Sequence, residues 1–185
     1  MLSGVILVLA ASLAAEQPEK PGPNYEHLKC YEALIGTWRY DGPLLEDTPE
    51  AKKGSPFLAS ISFGWILNKN AIEVNWKVRF EGGTQVIGKS LQGWNPKEGC
   101  VVIGSMDSLG VLEVGTVTCD HEAKTWTLNF KGVSPSGADT SSTITNILSN
   151  PDTLIWQAKE RRGLDPDGES PQYEFKRQES KPKAR

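Results

Sequence analysis

The chain has 185 residues, 38% of them hydrophobic and 23% charged, with a formal charge of −3. That length and balance suit one folded domain with a substantial core and exclude a disordered chain. The net negative charge excludes nucleic acid as a partner, because phosphate contacts need a basic patch, and the basic tail of Lys181, Lys183 and Arg185 is too short to supply one.

The amino terminus, MLSGVILVLAASLAA, has an apolar run from Val5 to Leu13 followed by small residues and the proline-rich, charged EQPEKPGP. This pattern reads as a secretory signal over residues 1–15, with Ser12 and Ala14 at the small positions before the cut, although its first residues lack Lys or Arg. The run is well short of the ~20 residues of a membrane helix, so the mature chain is expected to be exported, periplasmic or secreted, with no membrane span. Residues 16–24 read as a linker. Residues 25–33 suit a short helix capped by Asn24, with Tyr25, Leu28 and Glu32 at helical spacing.

From residue 34 the hydrophobic period changes to two. Strands are expected at 34–41, 57–67, 71–80, 84–94, 100–106, 111–119, 124–131, 140–148, 153–162 and 172–177. The third shows the pattern best: Ile72, Val74, Trp76, Val78 and Phe80 share one face, and Glu73, Asn75, Lys77 and Arg79 share the other. Asn68-Lys69-Asn70, Glu81-Gly82-Gly83, Asn95 to Gly99, Asp120 to Lys124, Ser134 to Gly137, Asn150-Pro151-Asp152 and Asp165 to Gly168 are turn signals between them. Short links make neighbours antiparallel, and closing the sheet removes its two edges. The expected fold is therefore all-β, an antiparallel up-and-down barrel of about ten strands over residues 25–178, with 179–185 as a disordered tail. An open two-sheet sandwich fits the same pattern. The long link from Leu44 to Pro56 is either a cover over one barrel end or a solvated loop.

The segments GTW (36–38), WIL (65–67), AIEV (71–74), GW (93–94), SMDSLG (105–110), GTV (115–117), TWTL (125–128) and YEFKR (173–177) occur in an order that resembles the DUF1579-type proteins, a bacterial family of unknown function with calycin-like barrels. The wider calycin group includes lipocalins, fatty-acid-binding proteins and nitrobindin-like haem proteins, and opens its first strand with Gly-x-Trp. The resemblance implies that Gly36 and Trp38 form the closed barrel end, with Arg177 of the last strand as the basic partner of the indole. Haem is not expected, because His27 falls in the helix and His121 in a turn, neither placed as an axial ligand.

Residue chemistry suggests no recognisable catalytic set. The two histidines and Cys30, Cys100 and Cys119 are too widely spaced for a metal centre. Asp165, Asp167 and Glu169 lack calcium-loop spacing. Ser105, Asp107 and Ser108 have no histidine beside them, and Glu73, Glu113 and Glu160, being in strands, are expected to face water. No metal and no cofactor are assigned. Three functions stay open: a barrel that binds a small apolar or amphipathic ligand, an enzyme of unrecognised type using barrel carboxylates, or a solid interaction module. For the first, the pocket candidates are Trp76, Trp156, Val74 and Val78, with Gly88, Gly115 and Ser142 leaving space beside them. Cys100 and Cys119 are equidistant from a hairpin tip at Leu109-Gly110 and are either disulfide-bonded, leaving Cys30 single, or free thiols.

Overall fold

The computed structural model describes residues 20–164 and 166–179. Residues 1–19, where a signal and the start of a linker are expected from the sequence, Asp165 and residues 180–185 lie outside the described residues.

Ten antiparallel strands follow one another around a closed barrel. They are β1 (Gly36–Pro43), β2 (Pro56–Ile66), β3 (Ala71–Phe80), β4 (Gln85–Asn95), β5 (Cys100–Asp107), β6 (Leu112–Asp120), β7 (Thr125–Val133), β8 (Asp139–Asn150), β9 (Thr153–Arg162) and β10 (Tyr173–Gln178). Each pairs with its sequence neighbours, and β10 closes on β1 with Trp38 opposite Arg177. No strand is left with an unpaired edge, which settles the choice against a sandwich.

The period-two pattern of β3 becomes the inner face of the wall. Trp76 stands opposite Ile61 and Gly88, while Lys77 stands opposite Ser60 and Ile87. Inward residues of the remaining strands follow from this register, because directly paired residues share a face.

The segment before the barrel differs from the single helix expected. Only α1 (Tyr25–Leu28) is α-helical, and Lys29–Ala33 continues as 3-10 helix. Asn24 makes no side-chain cap; its N–H donates to Asn70 Oδ1 at 3.1 Å. Gly22 N–H likewise donates to Asn68 O at 2.7 Å, so the β2–β3 turn holds the entry of the segment in place of a cap. Leu28, Tyr31 and Leu34 are fully buried and plug one end of the barrel. The Trp38 indole N–H donates to Leu34 O at 2.8 Å behind that plug.

The opposite end carries the β1–β2 link. Leu44 is buried against Phe80 and Val86, so this loop covers the barrel end rather than extending into solvent. A one-residue difference in register corrects the expected cysteine pairing. Val101 pairs with Val117 and Met106 with Leu112, so Cys100 falls opposite Thr118, not Cys119. A slip of one residue reverses the face. Cys119 therefore lies on the inner side with Val117, where it is disulfide-bonded to Cys30 of the plug, and Cys100 is free.

Candidate functional site

At the closed end, Gly36 adopts φ +122°, a conformation costly for any residue with a Cβ. A Cβ there would also stand 3.3 Å from Arg177 Nη1. The guanidinium lies over the Trp38 ring at 4.1 Å and donates to Ala33 O (2.7 Å), Ile35 O (2.9 Å) and Pro151 O (2.8 Å). Arg177 thus ties the plug, the β8–β9 turn and the last strand together. Its role there is structural.

Between plug and cover, the barrel encloses a cavity of about 330 Å³. That is at the small end of the range for small-molecule pockets. Val74, Trp76 and Val78 of β3 line one side, and Trp156 of β9 with Tyr173 and Phe175 of β10 line another. All four sequence-selected pocket residues therefore face the same space. The reason given for that space does not hold. A Cβ on Gly88 would overlap the Trp76 ring, so the indole already fills the room that Gly88 leaves. A Cβ on Gly115 would overlap the Asn129 carbonyl, which makes Gly115 a site of close strand approach. Ala59, Ser90 and Ser105, small residues on the inner face, border the cavity instead.

Polar groups are few. Ser90 Oγ donates to Ser105 Oγ at 3.1 Å. Gln92 Oε1 accepts from the Tyr31 hydroxyl. Glu113 is half-buried, and its Oε1 accepts from Ser142 Oγ at 3.3 Å. Burial pushes the Glu113 carboxyl above the ordinary glutamate range, the Ser142 bond opposes that, and the charge of Asp107 adds to it. Asn146 is 5% exposed, and its Oδ1 has no hydrogen-bond partner among the described residues.

The mouth is held by Arg161 and Glu46. Arg161 Nη1 and Nη2 donate to Glu46 Oε1 and Oε2 at 3.0 and 2.8 Å, a bidentate pair with side chains 11% and 18% exposed. Leu45 N–H donates to the Tyr173 hydroxyl at 3.3 Å, giving the cover a second attachment.

Other candidates lie elsewhere. His27 stacks on Trp94 at 3.9 Å outside the cavity, and His121 is exposed in the β6–β7 turn. Glu73 pairs with Lys89 at 2.8 Å on the outer wall, and Glu160 is exposed beside Arg162. Asp107 Oδ1 accepts from Leu109 and Val111 N–H, so it serves the turn. Ser105 borders the cavity, while Ser108 Oγ accepts from Ile87 N–H. Among the described residues no three His, Cys, Asp or Glu side chains gather as a metal site, and no helix is long and apolar enough to cross a membrane.

Sequence reasoning turned Glu113 toward water, whereas it lines the cavity half-buried, and it missed Asn146, Glu46 and Arg161. On β6, Leu112 and Val114 are apolar yet 48% and 60% exposed, which disguised the inward phase of Glu113. The signal that gives it is its spacing of two and four from Gly115 and Val117. Arg161 faces inward because a bulge between Thr143 and Ile144 shifts the phase of β9, and sequence does not mark that bulge.

No family model matches this chain, and no curated protein matches it. Among solved structures, it is similar to the crystal structure of Rv2717c from M. tuberculosis, with a TM-score of 0.58 and 18% identity over 86% of this chain and 100% of that one. A de novo designed fluorescence-activating β-barrel matches with a TM-score of 0.38 and 15% identity, over 80% of this chain and 97% of that one. The first likeness shows the fold alone. Fold and cavity together define the class: a closed ten-strand antiparallel barrel, plugged at one end and covered at the other, with space inside.

Proposed function

We propose that this protein is a calycin-like barrel that acts after export by holding one small apolar or amphipathic molecule inside, without metal or haem. The observation that carries this reading is the cavity itself, about 330 Å³ walled by Trp76, Trp156, Val74 and Val78 with few polar groups. Apolar area removed from water on both partners supplies the affinity, about 25 cal/mol per Å² before the costs of association. The Arg177–Trp38 stack beneath Gly36 supports the calycin-like assignment, and the Cys30–Cys119 pair supports an oxidising compartment.

The mature chain begins near residue 16 in this reading. The test of binding is titration of fatty alcohols, isoprenoids and aromatic dyes into purified protein, followed by tryptophan fluorescence. A saturable change weakened in Trp76→Ala and Trp156→Ala is expected. No saturable change with any probe leaves an accessory barrel that takes up no ligand instead. Glu113 favours a second reading, a barrel enzyme using a carboxylate. The other two cavity charges, Glu46 and Arg161, are committed to each other, so among the described residues no free cationic side chain stands in the cavity with Glu113.

A further inference from the structure

Charge inside the cavity is one-sided. Among the described residues the one guanidinium that lines it, Arg161, spends Nη1 and Nη2 on Glu46 and Nε on Gly168 O at 3.0 Å. It therefore offers little to an incoming anion. Two acceptors stand open, beside the amide N–H groups of Gln92 and Asn146. Among the described residues Glu113 receives a single hydrogen bond, from Ser142, although a carboxylate has room for about four. Asn146 Oδ1, on the same strand as Ser142, is fully buried with no donor against it. A buried unmade hydrogen bond is costly, so an acceptor left open in a lined cavity marks where a donor from outside fits.

The field points the same way. With Glu46 and Arg161 cancelling each other, ionised Glu113 leaves the cavity negative, and Asp107 adds to that sign. A ligand carboxylate would meet a like charge in a poorly hydrated space. An ammonium would meet an opposite charge, with the stronger, charge-assisted form of hydrogen bond.

Resting on the ligand-binding reading above, we propose that the cavity selects an apolar amine, its ammonium against Glu113 and its hydrocarbon body between Trp76, Trp156 and Phe175. Its remaining polar groups, if any, are donors that reach Asn146. At a liquid-like share of ~30 Å³ per heavy atom, the cavity holds roughly eleven such atoms. An eight-carbon chain fits that size.

The experiment compares n-octylamine, n-octanol and n-octanoate, which share a tail and differ in the head. Each is titrated into the full exported chain with tryptophan fluorescence and calorimetry, in parent protein and in Glu113→Gln. The expected order is amine, then alcohol, then carboxylate, with the amine about tenfold tighter than the alcohol, as one charge-assisted hydrogen bond provides. In Glu113→Gln that advantage falls to about threefold or less. Octanol binding with no preference for the amine, or octanoate binding tightest, overturns the amine assignment while leaving a ligand cavity in place. An equal amine advantage in Glu113→Gln also overturns it. Saturation by none of the three overturns the ligand-binding reading itself. The order in the parent protein decides the question even if the variant does not fold.

Discussion

Arg177 shows how much one side chain holds. It stacks on Trp38 and closes three backbone carbonyls from two separate segments. Arg177→Ala is expected to cost ~2–4 kcal/mol in urea unfolding, from the lost stack and the unmade hydrogen bonds. Arg177→Lys should recover less than half, because an ammonium lacks the planar fork; full recovery would contradict this role. Glu113 gives a prediction of opposite sign. Burial raises its carboxyl pKa above the ordinary 4.5, so the folded chain holds that proton more tightly than the unfolded chain. The associated stability is present below the ordinary value and is lost as pH rises through the raised one. Glu113→Gln should therefore be more stable than the parent at about pH 7, with the gap closing by about pH 4. Equal gaps at both values would contradict a strained carboxylate. Of these two residues only Arg177 was singled out from the sequence, and that as what a resemblance in Gly-x-Trp and the last strand implies. Glu113 was hidden because outward Leu112 and Val114 imitate an inner face.

At the scale of elements, the strands lie within two residues of their sequence-based bounds. Turn residues and period-two faces are local signals, and short links leave only antiparallel neighbours. The plug was legible as helix but not as a 3-10 segment held by tertiary contacts, and its disulfide depends on a one-residue register that strand pattern and turn geometry set together. Cys30 and Cys119 are 89 residues apart, so the bridge restricts a long loop of the unfolded chain. Cys30→Ser should lower stability by up to ~4–5 kcal/mol on the chain-entropy account and loosen the plug. Thiol counting on denatured, unreduced protein should find one free thiol, Cys100, whereas three would contradict the pairing. At the other end, Glu46→Gln leaves Arg161 without its carboxylate at an 11% exposed position. Backbone amides over 44–55 should then exchange about tenfold faster by hydrogen-exchange mass spectrometry. Unchanged protection would mean that Leu44 and the Tyr173 contact hold the cover alone.

For the whole molecule, closure was readable because an open sheet of ten strands would expose two edges, and no segment between the strands could cover them. The cavity was not readable in the same way. Trp76 and Trp156 line the cavity, but the room beside Gly88 and Gly115 is filled by an indole and by a neighbouring strand. Whether side chains fill a barrel depends on how its faces meet across the interior, and that is a property of the closed wall, not of any strand. The central claim is that the remaining space takes up one molecule. Isothermal titration calorimetry with n-octanol at several temperatures tests it most directly, in the parent and in Ala59→Phe, which places a ring in the cavity. The account predicts one site per chain, a negative heat-capacity change from buried apolar surface, and loss of binding in the filled variant. Heats that never saturate, or binding undiminished in Ala59→Phe, would contradict it.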